Sequence, residues 1–163
     1  MRALILNIAL LILVTVTSCK KNVGTNPINQ DATTKNIVKA DINIEYNPIY
    51  LSPKARPIIV NWKEYIDVQN KIYELKNTDT VRLNKQLDEL DELITKLLNS
   101  QFPRELQTHL FERKLDVLGE SVTDLRILLG KENTSINYIK KGVLNIMQHY
   151  GASKNQINAI YGG

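Results

Sequence analysis

Cysteine is nearly absent from this sequence. The 163 residues hold one, Cys19, so no disulfide can close within the chain. There are two histidines, His109 and His149, and no Cys-x-x-Cys-His run, which excludes covalent haem attachment of that type. No serine sits in Gly-x-Ser-x-Gly, and no glycine-rich loop is present to cradle phosphate. The net charge of +4 is spread along the chain, with neither a basic stripe nor interleaved stacking aromatics. A nucleic-acid partner is therefore not expected. No internal repeat is evident, and the length suits one domain rather than two.

What the chain does have begins at its amino terminus. Ala3 to Val16 is apolar except for Asn7 and Thr15, and it follows Arg2. The stretch is shorter than the roughly 20 apolar residues that span a bilayer. It fits the apolar core of a signal peptide behind a minimal positive start. Val16-Thr17-Ser18-Cys19 comes next. That tetrad resembles the bacterial lipobox: an aliphatic residue, two small ones, then the cysteine. The resemblance implies cleavage between Ser18 and Cys19 by signal peptidase II. It also implies a diacylglycerol thioether on the Cys19 sulfur and acylation, palmitate included, of the new amino terminus. Several chains hold firmly, since each buried methylene contributes about 0.8 kcal/mol and a single chain binds only marginally. An uncleaved anchor, or an ordinary signal peptide with a chance cysteine, is the alternative.

Lys20-Lys21-Asn22 follows the cysteine. Lipoproteins of the proteobacterial type are retained in the inner membrane by an aspartate there, and Lys20 is not one. The Lys/Asn/Ile-rich composition resembles that of AT-rich Bacteroidota, in which a short acidic tract accompanies surface export. The basic pair is the opposite. The resemblance thus points to the periplasmic face of the outer membrane.

Residues 19–36 are polar, with Gly24 and Pro27 and no apolar periodicity, and read as a disordered tether. Such a segment reaches about 20–25 Å root-mean-square on the random-coil relation. From 37 to 61 the chain reads as an extended strap. Val38 to Tyr46 alternates apolar and polar residues without error, the pattern of a half-buried strand. Pro48, Pro53 and Pro57 then punctuate it, and Pro57-Ile58-Ile59-Val60 reads as a short second strand or plain extended chain. The alternation serves either a strap packed on the helices or a strand offered to a partner's sheet edge.

Residues 62–163 read as helices. Trp62, Tyr65, Ile66, Ile72 and Tyr73 mark one face of a first helix ending near Lys76. Asn77-Thr78-Asp79 reads as a tight connection with a cap at Thr78 or Asp79. A second helix carries Leu83, Leu87, Leu90, Ile94 and Leu97, spaced alternately by four and three. Pro103 is placed to open a third, whose seam is Phe111, Leu115, Leu118, Val122, Leu125 and Leu129, with Gly130 at its end. A fourth shows Ile136, Ile139, Val143, Ile146 and Tyr150, closed by Gly151, and Ser153 with Gln156 reads as a capping box for a final turn. The fold class is all-α: an antiparallel bundle of four helices, or of three if the 77–80 break is absent.

Few positions promise chemistry. His109 and His149 lie on faces that read as solvated, and no metal site is expected. Di-iron bundles place Glu three residues before His, where this chain has Leu106 and Ile146. The mature chain's one methionine, Met147, is too close to His149 for the two to grip opposite faces of a haem. Asp88, Glu89, Asp91 and Glu92 are acidic neighbours, but Lys85–Glu89 and Glu92–Lys96 spacings make a charged solvent face the better reading. Lipidation of Cys19 leaves no thiol nucleophile. Trp62, Tyr65, Tyr46 and Tyr50, with Tyr73 nearby, form either a binding patch or the aromatic seam joining strap to bundle. Asp79-Thr80-Val81 resembles the Asp-Ser/Thr-aliphatic site at which exported Bacteroidota proteins are O-glycosylated, which implies Thr80 as an acceptor in an accessible loop.

Lipobox, polar tether, Trp62 opening the first helix, Ser100-Gln101-Phe102-Pro103 and Arg113-Lys114-Leu115 together resemble small helical lipoproteins of Bacteroidota. That resemblance brings no activity with it. The expected role is non-enzymatic: a membrane-tethered envelope protein acting in protein interaction or envelope structure, without cofactor. The alternative is a periplasmic small-ligand-binding or sensory bundle. A pocket lined by Trp62 and the tyrosines favours the ligand; a dry, fully packed core with an exposed apolar patch favours a protein partner.

Overall fold

A computed structural model describes residues 39–162. The signal segment 1–18, Cys19, the 19–36 tether and the first residues of the strap lie outside the described residues. The strap begins with a three-residue strand, β1 (Asp41–Asn43), antiparallel to β2 (Asn77–Asp79) with Ile42 opposite Thr78. The pairing extends past both ends: Ile44 N–H donates to the Lys76 carbonyl, and Thr80 N–H to the Ala40 carbonyl, each at 3.1 Å. Ile42 and Ile44 are buried while Asp41, Asn43 and Glu45 are exposed. The alternation therefore serves the core of this chain, as a strap. Changing Ile42 and Ile44 together to Asp should lower stability by at least about 4 kcal/mol, through lost burial and two carboxyls taken from water. A urea midpoint equal to the parent's would show that the strap adds nothing to the core.

Helices make up most of the rest: α1 (Arg56–Ile59), α2 (Lys63–Glu74), α3 (Thr80–Leu98), α4 (His109–Gly130) and α5 (Ile136–Tyr161). The break at 77–80 is real, and β2 occupies it, so the bundle has four main helices. Asp79 caps α3 with one carboxylate oxygen accepting the Val81 and Arg82 amides, both at 3.0 Å. Its other oxygen accepts from Arg82 Nε at 3.0 Å. The Arg82 backbone amide, then the guanidinium, hold this carboxyl below its usual range. The seams of α3 and α4 face inward: Leu83, Leu87, Leu90, Ile94 and Leu97 are buried, as are Phe111, Leu115, Leu118, Val122 and Leu125. Leu129, at the end of the α4 seam, is half-buried against the core.

Four expectations need correction. Pro57 to Val60 is not a strand; Pro57 sits in the first turn of α1, where its missing N–H costs nothing. Pro103 does not open the third helix. It precedes a 3-10 turn, Arg104–Leu106, and α4 starts afterwards, with Thr108 Oγ1 accepting the Phe111 amide. Gly130 is the last residue of α4, and the left-handed position in the following turn belongs to Asn133, at φ 57°. Asparagine tolerates that region better than most residues.

The fourth correction matters most for function. Gly151 does not end a helix, and Ser153 with Gln156 caps nothing, because α5 runs through both. A Cβ at Gly151 would lie 2.5 Å from the Tyr46 hydroxyl oxygen and 3.1 Å from Ile49 Cδ1. The glycine is where the strap crosses α5. Ser153 is fully buried, its hydroxyl bonded to the Tyr150 carbonyl and the Tyr65 hydroxyl.

Candidate functional site

The four aromatic positions do not form a surface patch. Trp62 and Tyr65 are buried and stacked at 5.3 Å, with Phe102 at 5.1 Å and Phe111 at 6.0 Å from the indole. The indole N–H donates to Ser100 Oγ at 3.0 Å, so the Ser100-to-Pro103 segment folds onto the start of α2. Tyr46 is half-buried against Gly151, and only Tyr50, at 72% exposure, faces solvent. Trp62 and Tyr65 belong to the core, and their ring neighbours Phe102, Phe111 and Tyr150 come from the bundle and not from the strap.

Thr80 is a buried first residue of α3, not part of an open loop, and its hydroxyl accepts the Ala40 amide at 3.1 Å. Glycosylation there requires the β1–β2 pairing to open. The acidic run on α3 is a partly paired face: Arg126 reaches Asp88 at 2.8 Å and Asp91 at 3.2 Å, and Lys71 holds Glu89 at 2.7 Å, while the expected Glu92–Lys96 pair does not form. Lys71, then Lys85, draw the Glu89 carboxyl below its usual range. His109 is exposed and His149 half-buried, far apart on α4 and α5 in sequence, and no cluster among the described residues is arranged to hold a metal ion.

Sequence reasoning missed the residue with the most unusual surroundings. Lys154, on α5, is 3% exposed, and no carboxylate among the described residues pairs with it. Its ammonium donates to the Tyr73 hydroxyl at 2.9 Å and lies 4.9 Å from the Tyr150 ring centre and 5.3 Å from that of Tyr73. Burial pushes its pKa down to about 8. The surrounding phenols are pushed up by the same cause: Tyr73, Tyr46, Tyr65 and Tyr150 all titrate above the ordinary tyrosine value. The signal was present, since Tyr150, Lys154, Ile157 and Tyr161 continue the four-three-four spacing past Gly151. Asn158 was missed too. Its amide clamps the strap, accepting from Ser52 N–H and donating to the Tyr50 carbonyl, both at 2.8 Å.

Among the described residues Trp62 is 5% exposed, with its ring against Tyr65, Phe102 and Phe111. No buried side-chain nitrogen or oxygen among the described residues lacks a hydrogen-bond partner. Two open hollows mark the outside. One, of about 430 Å³, lies between α4 and α5 and is lined by Glu120, Asp124, Ile127, Tyr138, Lys141 and His149 among others. The second, of about 460 Å³, lies between α2 and α3 around Lys63, Asp67, Leu93 and Lys96. No helix among the described residues is long and apolar enough to cross a membrane.

No protein-family model matches the chain, and no solved structure matches it. Over 88 residues it is 30% identical to the chromosome segregation protein sudA of Emericella nidulans, a match covering 54% of this chain. It spans 7% of that protein, so the likeness touches a small part of the relative and shows no common family.

Proposed function

We propose that this chain is a lipid-anchored envelope protein, non-enzymatic, held at the periplasmic face of an outer membrane and acting through protein contacts. The observation that carries the reading is Val16-Thr17-Ser18-Cys19 behind an apolar stretch too short to span a bilayer, with the chain's one cysteine at that position. The closed packing around Trp62 and Tyr65 supports a contact role over the ligand-binding alternative, which needs an enclosed pocket among those rings. The test is Cys19→Ala in the native host, with metabolic labelling by an alkyne-bearing fatty acid and fractionation of the envelope. The parent should label and sediment with membranes. The variant should lose the label and either leave the membrane or accumulate unprocessed. Equal labelling of the two forms would remove the anchor.

A further inference from the structure

The strap meets α5 at two places. Tyr46 and Ile49 pass over Gly151, and the Asn158 side chain holds the Ser52 amide and the Tyr50 carbonyl. Positions 151, 154 and 158, spaced by three and four, share one face of a helix. Lys154 therefore lies beneath the strap, between its two points of contact. Tyr46 also stands near the rings that hold the Lys154 ammonium, since the Tyr73 phenol, after burial, raises its titration. From Glu45 to Lys54 no residue is buried, whereas Ile42 and Ile44 before that stretch and Ala55 and Ile59 after it are. The stretch is thus pinned into the core at both ends and only laid on the helices between them.

We propose that residues 45–54 are a lid that lifts from α5 while the bundle stays folded, and that the covered ammonium of Lys154 drives it open. An ammonium with one hydroxyl partner and two ring faces gains hydration when its cover lifts. The groups that face it are phenols: Tyr73 from α2, Tyr150 from α5 itself and Tyr46 from the strap. None of these carries charge at neutral pH. No carboxylate among the described residues pairs with the ammonium. Under the closed lid the amine titrates at about 8, and in water it returns toward 10.5. Protonation then favours the lifted state by up to about 300-fold. The effect is complete below pH 8 and fades as pH rises toward 10.5. Against it stand the Asn158 clamp and the contacts of the half-buried Tyr46 and Ile49.

This lid goes beyond the contact role proposed above and does not depend on the anchor, so the labelling experiment and this one fail separately. Its test is proteolysis of the folded full chain in mild detergent by a low dose of chymotrypsin, since such cleavage follows the open population. The first cut in the parent should fall at Tyr46, Tyr50 or Leu51, with the helices intact. At pH 7.5 Lys154→Met should be cut there at least about tenfold more slowly. The gap should narrow severalfold at pH 9, which a packing effect of the substitution would not produce. The same linkage read in reverse is seen at the amine. Gly151→Ala meets Tyr46 and Asn158→Ala removes the clamp, so both loosen the lid. Trace acetylation of Lys154, measured against the exposed Lys85, should quicken at least about tenfold in each, with a parent-like helical spectrum as the check on folding. A first cut within the helices would overturn the proposal, as would a Lys154→Met chain cut as fast as the parent or acetylation of Lys154 that neither loosened variant changes.

Discussion

Leu118→Asp should abolish the cooperative melt of this protein. Leu118 is fully buried in the middle of α4, with Leu115 and Val122 on the same seam and likewise fully buried. Truncation of such a leucine to alanine costs about 2–5 kcal/mol through lost transfer energy and the cavity left behind. Aspartate adds the cost of a carboxyl with no partner in an apolar site, which must either stay charged at high cost or take up a proton. Together these reach the about 5–15 kcal/mol that holds an ordinary domain folded. Circular dichroism should show most helical signal gone at 25 °C, or a shallow, non-cooperative loss on heating. A melt superimposable on the parent's would mean that the α4 seam is not core.

The second large effect has the opposite sign. Lys154→Met should stabilise the protein at pH 7. Its ammonium is 3% exposed and holds one hydroxyl partner and two ring faces, and its folded pKa of about 8 lies below the ordinary lysine value of 10.5. Between those two values the unfolded chain binds a proton that the folded chain has released. Stability therefore rises with pH across that window and is lowest, for this group, below pH 8. The fall from 10.5 to about 8 corresponds to about 3–4 kcal/mol, or roughly 10–15 °C in melting temperature. Above about pH 10 the sign reverses, because phenols in the unfolded chain ionise while Tyr65, Tyr73 and Tyr150 stay protonated in the fold. The parent should thus be most stable near pH 9–10. Lys154→Met should melt higher than the parent at pH 7 and converge with it by pH 10. A variant less stable than the parent at pH 7, with an unchanged pH slope, would mean that the caged ammonium is a net stabiliser.

Much of the fold was legible because long seams leave little freedom. Four-three spacing over Leu83 to Leu97 and Phe111 to Leu125 can bury its apolar side chains only as helices, and the cap ahead of α3 was narrowed to Thr78 or Asp79, of which the structure takes Asp79. Ile42 and Ile44 were equally clear in period, but whether they met this chain or another could not be read from period alone. The misreading at Gly151 and the omission of Lys154 share a physical cause, a contact distant in sequence. Gly151 has the look of a helix stop, yet it is there because Tyr46 and Ile49 pass over it, more than 100 residues away along the chain. The β2 strand has no apolar signature at all, and it exists because Asp41–Asn43 supplies its hydrogen bonds. Lys154 stands at a position that the spacing marks, but spacing alone does not say what a lysine meets there. A lysine reads as solvent-facing until Tyr73 of α2 is brought against it.

The aromatic positions show how far residue type alone reaches for the candidate site. Trp62 and Tyr65 were grouped with Tyr46 and Tyr50, but a cluster in sequence does not say which rings turn inward. Burial separates them: the first two join Phe102 and Phe111 in the core, and Tyr50 is left outside with its carbonyl held by Asn158.

The proposed anchor rests on one bond, between lipid and the Cys19 sulfur, and the most direct measurement is the mass of the protein's amino-terminal peptide after extraction from the native envelope. The account predicts a peptide that begins at Cys19, lacks residues 1–18, and carries the added mass of a diacylglyceryl group, with or without a further acyl chain on the amino terminus. A peptide that retains residues before Cys19, or one that begins at Cys19 with no added lipid, would contradict it.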